Sequence, residues 1–235
     1  MNYINTIISV SLVLVAFIFY YFLSSLEIIK NYFIKKLGEE QGQIRIILFQ
    51  RLTGILFFGS IPAFFLLYRN SSSTIESFLK IQFNLSSLAF IIIFVVTAFF
   101  LNYFAARSPE NLAIYPQIRS KTWSLSLLIL SGLSWMTYLF AYEFLFRGLL
   151  LFFCIEELGV VLALIVNIFL YSLVHIPKGR KETIGAIPMG IILCILTIHS
   201  GTIWMAFWIH CSLALSNEWL SIKYHPDMKI LIHKE

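Results

Sequence analysis

Long apolar runs alternate with short polar stretches along this chain, and most runs have the length of a membrane-crossing helix. A helical span needs about 20 predominantly apolar residues. The pattern predicts seven helices, at roughly 4–28, 45–68, 85–104, 124–155, 159–176, 185–199 and 202–221. No Lys or Arg precedes Lys30 and no small-residue cleavage site follows the first run, so it reads as a retained helix, not a signal peptide. Residues 29–44 mix polar and apolar positions and read as an interfacial extension of the first helix. Residues 69–80 are polar and Ser-rich, and residues 105–123 contain Pro109 and Pro116, so both read as loops. The short sixth run carries Gly185, Pro188 and Gly190, which predicts a kinked or tightly packed helix.

The predicted fold class is all-α, a polytopic membrane helical bundle of about seven transmembrane helices in one compact membrane domain. Residues 1–119 hold about three N-terminal helices, residues 120–221 a core of about four, and residues 222–235 a short cytoplasmic tail. Composition agrees. The chain is 59% hydrophobic and 12% charged, with a mean hydropathy of +0.85, where a soluble domain carries about 25% charged residues.

Charge sets the predicted orientation. With seven spans, Lys30, Lys35, Lys36, Arg45, Arg107, Arg119, Lys121, Lys178, Arg180, Lys181, Lys223, Lys229 and Lys234 collect on one side. Only Arg69 and Lys80 fall on the other, while Arg51 and Arg147 lie inside spans. The positive-inside bias then puts the N-terminus outside and the C-terminus in the cytoplasm, in the cell membrane. It also accounts for the net charge of +5 without a nucleic-acid partner. Cys154, Cys194 and Cys211 fit neither a zinc ribbon nor a redox pair and read as small apolar-like helix residues.

Candidate chemistry lies in the fourth run, where Glu143 and Arg147 interrupt an apolar stretch from Trp135 to Phe153. A charge at bilayer depth costs about 2.5–3.5 kcal/mol on insertion scales, which makes such residues functional candidates. Their i, i+4 spacing puts both on one helix face. Two readings follow: a structural ion pair pinning helices together, or part of a reactive site. His175 ends the fifth run just before Pro177 and by itself reads as a hydrogen-bonded interfacial residue. His210 lies mid-span in the last run and needs a partner there. Asn217 is two helical turns further on, on the same side, and Glu218 reads as solvated near the cytoplasmic surface. A carboxylate able to take a proton from water, with His and Asn donating to a developing oxyanion, is the outline of a hydrolytic site.

These residues carry a resemblance. Tyr142-Glu143-Phe-Leu-Phe-Arg147-Gly148, then Tyr171-xxx-His175, then Gly201-Thr-Ile-Trp204 leading to His210, resemble in order and spacing the CPBP intramembrane protease family. This is the CAAX-protease and bacteriocin-processing (Abi) family, which includes Rce1-type prenyl-protein endopeptidases. The likeness covers about residues 120–221. The family's first motif is EExxxR, its first Glu the usual water-activating base and its second the partner of the Arg. Here Tyr142 stands at the first position, and Glu143 and Arg147 match the rest. Tyr171 and His175 match the second motif. In the third, His-xxx-Asn, His210 matches and Ala214 replaces the Asn, with Asn217 on the next turn as its substitute.

The resemblance implies an intramembrane endopeptidase of glutamic type that hydrolyses a peptide bond of a membrane-anchored protein or peptide. Glu143 is then the base, fixed by Arg147; His175 holds water, and His210 and Asn217 stabilise the oxyanion. Tyr142, as a neutral phenol, does not activate water near neutral pH but donates to an oxyanion. No cofactor is expected on this reading. The metal-dependent alternative uses Glu143, His175 and His210 as two His and one carboxylate around zinc, although no HExxH is present. Another alternative is a catalytically inactive relative that binds or stabilises a membrane partner, favoured by Tyr142 and Ala214. A transporter would show broken helices in corresponding halves, and the sequence shows no such repeat.

Overall fold

The run that carries Glu143 forms the axis of the bundle. In the computed structural model, Leu125–Leu158 is a single rod of 34 residues whose most apolar stretch is 78% buried, against no more than 33% in any other candidate span. The structure describes residues 3–69, 72–82 and 85–231; Lys234, counted above among the cytoplasmic charges, lies outside them.

The helices are α1 (Ile4–Ser25), α2 (Glu27–Leu37), α3 (Glu39–Gly54), α4 (Ile61–Tyr68), α5 (Ser72–Leu79), α6 (Leu85–Ala105), α7 (Pro109–Ile114), α8 (Leu125–Glu143), α9 (Leu151–Leu158), α10 (Val160–Leu173), α11 (Arg180–Ser200) and α12 (Trp204–Tyr224). Two π-helical segments join neighbours into continuous rods: Ile55–Ser60 between α3 and α4, and Phe144–Leu150 between α8 and α9. The all-α bundle read from the sequence is the observed class. Among the described residues, six helices are long and apolar enough to cross a membrane. The seventh expected span, α12, is 21 residues long but less apolar, because His210, Asn217 and Glu218 interrupt it. It packs against α6, α8 and α11.

Local chemistry sets the joints. Gly159 (φ 77°) precedes α10 and Gly179 (φ 101°) precedes α11, and the positive-φ backbone lets the chain turn sharply on either side of the stretch that carries His175. The first turn of α1 is held from across the bundle: Glu157 at the end of α9 accepts the amides of Asn5 and Thr6, both at 2.9 Å. A carboxylate there satisfies otherwise orphaned donors and complements the helix dipole.

Four details differ from the sequence reading. Pro109–Ile114, inside the second stretch read as a loop, forms the short helix α7, begun by Pro109 and capped by Ser108. Within the polar stretch 69–80, Ser72–Leu79 is helical, not a loop. Ile75, Phe78 and Leu79 follow the i, i+3, i+4 pattern of an apolar helix face, which the Ser-rich composition masks. Phe78 is buried and packs edge-on to Phe144 at 5.4 Å. Its carbonyl accepts the amide of Ile203, and the Leu79 carbonyl accepts the Trp204 indole N–H. Next, the chain after α12 folds back: β2 (Lys229–Leu231) pairs in parallel with β1 (Thr122–Ser124). Finally, Glu218 is not solvated; it is 1% exposed and faces Arg51.

Candidate active site

Glu143 is the last residue of α8, at the point where the helix widens into the π-helical segment. Such bulges re-aim side chains and are frequent at functional sites. Asn167 on α10 is fully buried and braces the segment by donating to the Phe146 carbonyl at 2.7 Å. Its own oxygen accepts from Cys194 Sγ at 3.2 Å. The sequence reading passed over Asn167; its signal is a polar amide within an apolar run, two turns before His175.

The Glu143 side chain is 0% exposed, and both of its oxygens are directed at protein partners. Oε2 lies 3.4 Å from Arg147 Nε, and Oε1 lies 2.5 Å from His210 Nδ1. Arg147 is equally buried, and its guanidinium sits over the Tyr171 ring at 4.2 Å, a cation–π contact. The carboxylate therefore lies behind His210, and its link to open space runs through the imidazole. A carboxylate accepts at both oxygens, so Nδ1 of His210 is the donor and Nε2 is the free ring nitrogen.

His175 is held differently. Its Nδ1 lies 2.7 Å from the Tyr171 carbonyl, one turn back. A carbonyl only accepts, so Nδ1 carries the proton and Nε2 has its lone pair available. Tyr142 stands between the two histidines, its ring 6.4 Å from His175 and 5.9 Å from His210. The ring stacks on Phe146 at 4.7 Å. Its hydroxyl is buried and has no hydrogen-bond partner among the described residues.

Tyr142, Tyr171, His175, His210, Ala214 and Asn217 share a cavity of about 720 Å³. It extends to the 108–117 segment on one side and to residues 178–186 on the other. The structure thus brings together Tyr142, His175, His210 and Asn217 at the cavity, with Glu143 and Arg147 one layer behind. Among the described residues, no group of three His, Cys, Asp or Glu gathers as a metal site. Of the alternative zinc set, Glu143 faces His210 and Arg147, and His175 Nδ1 is bonded to the Tyr171 carbonyl.

Comparison with protein families bears directly on this region. Residues 121–216 match a family model described as Rce1-like, type II CAAX prenyl endopeptidase Rce1-like. That stretch, less than half of the chain, is similar to the Rce1-like family. It contains Tyr142, Glu143, Arg147, Asn167, His175 and His210; Asn217 follows its last residue. No curated protein and no solved structure matches the chain. Family and apolar helices together make this a CAAX-protease-like integral membrane protein.

Proposed function

We propose that the chain is an intramembrane endopeptidase that hydrolyses a peptide bond in a membrane-anchored protein or peptide. The observation that carries this reading is the Glu143–His210 contact behind a cavity shared with His175 and Tyr142. His210 Nε2 takes a proton from water as the water oxygen attacks the scissile carbonyl. The imidazolium that forms is stabilised at Nδ1 by Glu143, whose other carboxylate oxygen lies 3.4 Å from Arg147 Nε. His175 Nε2 accepts the water's other hydrogen bond and orients it. The carbonyl oxygen, now an oxyanion, receives a hydrogen bond from the Tyr142 hydroxyl, and the Asn217 amide lies on the same cavity wall. His210 then gives its proton to the leaving amine.

The cavity opens at the end of the bundle that gathers basic residues. Lys178, Arg180 and Lys181 lie on its rim. Contacts of Arg107 with Tyr224, and of Lys121 with Glu40 and Lys229, gather the other basic segments at that same end. The contacts of Glu157 and Arg69 with the start of α1 mark the opposite end. We take the basic end as cytoplasmic, the membrane as the cell membrane and the N-terminus as outside; substrate then approaches from the cytoplasmic half. The test is cleavage of membrane-anchored reporter peptides by purified protein in lipid nanodiscs. Activity that survives Glu143→Ala contradicts the reading.

A second reading has its own observation: Tyr142 and Ala214 occupy the places of two family residues. On that reading the chain binds and stabilises a membrane partner without cutting. Tyr142→Glu separates the two, because gain of cleavage from an inert wild type identifies a silent relative.

A further inference from the structure

A second pair of opposite charges is buried beside the same cavity, which Arg51 lines, and lies outside the family-matched stretch. Arg51 on α3 is 3% exposed and Glu218 on α12 is 1% exposed, with Arg51 Nη2 3.8 Å from Glu218 Oε1. Arg51 Nη1 donates to the Ser131 carbonyl at 2.8 Å and to the hydroxyls of Ser131 and Ser134 at 3.1 and 2.9 Å. Its guanidinium lies over the Trp135 ring at 4.7 Å.

Both charges converge on Gln117. Arg51 Nη2 donates to Gln117 Oε1 at 3.1 Å, and Glu218 Oε2 accepts the Gln117 backbone amide at 3.0 Å. Gln117 belongs to a stretch with neither helix nor strand, so no ladder fixes its backbone. Two residues earlier, Tyr115 stacks on Trp135 at 6.2 Å, nearly parallel at 12°. Its hydroxyl donates across to Glu182 Oε1, in the first turn of α11, at 3.4 Å. Burial, together with the charges of Glu182 and Glu218, pushes the Tyr115 phenol up, so it stays a donor. Arg51, Tyr115, Gln117 and Trp135 all line the cavity that holds His175 and His210.

Stability alone is a weak reason to bury such a pair, since apolar residues of similar volume often hold helices together as well. An apolar pair has no acceptor for a main-chain amide, however. This pair does, and thereby holds an irregular segment rigid against the cavity. We infer that Arg51 and Glu218 are positioning residues: by clamping Gln117 they fix Tyr115–Ile118 as the wall that receives the substrate peptide. The pair therefore governs substrate binding more than bond breaking. This inference rests on the peptidase reading.

The test uses the full chain in nanodiscs and the double variant Arg51→Met/Glu218→Met, which removes both charges and leaves neither unpaired. Gln117→Ala, which removes only the side-chain half of the clamp, is the milder companion. Two readouts are taken: backbone hydrogen exchange over residues 115–118, and KM and kcat on a membrane-anchored, fluorescence-quenched reporter peptide. The double variant is expected to speed exchange there by about tenfold or more, and to raise KM about tenfold with kcat within about threefold of wild type. Gln117→Ala moves both in the same direction by less. Exchange at wild-type rates in the double variant overturns the clamp. A fall in kcat at unchanged KM overturns the binding role, since it places the effect on His210 through α12. A wild-type chain that cleaves no reporter overturns the peptidase reading and the binding role together, and the exchange data still decide the clamp.

Discussion

His210 Nδ1 lies 2.5 Å from Glu143 Oε1, joining residues 67 positions apart on α12 and α8. A carboxylate placed this way fixes the tautomer of the imidazole and stabilises its protonated form. It also explains how a fully buried Glu can matter to a cavity it does not touch.

Glu143→Gln keeps the shape but removes the charge that stabilises the His210 imidazolium. Reporter cleavage is expected to fall in kcat by about 10²–10⁴-fold with KM little changed. The same variant leaves Arg147 buried without its counter-charge, which destabilises the fold by about 3–5 kcal/mol. Steady-state kinetics and thermal unfolding in detergent check the two effects separately.

Tyr142→Phe separates activity from stability. The ring's stacking on Phe146 is retained, while a buried hydroxyl with no protein partner is removed. Thermal stability is expected to rise or hold, by about 1 kcal/mol at most. Loss of an oxyanion donor lowers kcat by about 10²-fold or more. A variant of full activity shows that the hydroxyl takes no part in the reaction.

Asn167→Leu removes the donor to the Phe146 carbonyl and the acceptor for Cys194. The expected loss is about 1–3 kcal/mol, the penalty for leaving buried polar groups unmet. Because the brace sits on the π-helical segment between Glu143 and Arg147, activity is expected to drop further than stability predicts. Comparison with an equally destabilising core variant, such as Leu193→Ala, checks this.

Gly148→Leu tests the packing of α5. A Cβ at Gly148 meets the Phe78 ring at 2.7 Å, so a larger side chain must displace it. Overpacking of this kind costs about 1–3 kcal/mol. Limited proteolysis is expected to show faster cutting within residues 72–79, and unchanged cutting contradicts the close packing of Phe78.

The bundle was legible because hydropathy and length report directly on lipid spans, and the Glu143/Arg147 spacing reported on a shared face. His175 and His210 were recognisable as chemistry, and the cavity contains both. What the sequence left open was direction: no spacing rule says that Glu143 turns toward His210 and away from the cavity, because that depends on the π-helical widening after residue 143. The Arg51–Glu218 pair was hidden for a related reason. Arg51 was placed inside a span with no partner named and Glu218 was read as solvated, and only the packing of α3 on α8 and of α12 on α8 brings them within reach. Phe78 was lost among serines, since its ring partners Phe144 and Phe152 lie far along the chain.

The most direct measurement of the central claim is cleavage of a membrane-anchored reporter by the purified chain in water labelled with heavy oxygen, read by mass spectrometry. The account predicts one heavy oxygen in the new carboxyl terminus, with His210→Ala lowering product formation by about 10²-fold or more while the protein stays folded. Wild type and His210→Ala that release product at the same rate, or a wild type that releases none from any reporter, would contradict it.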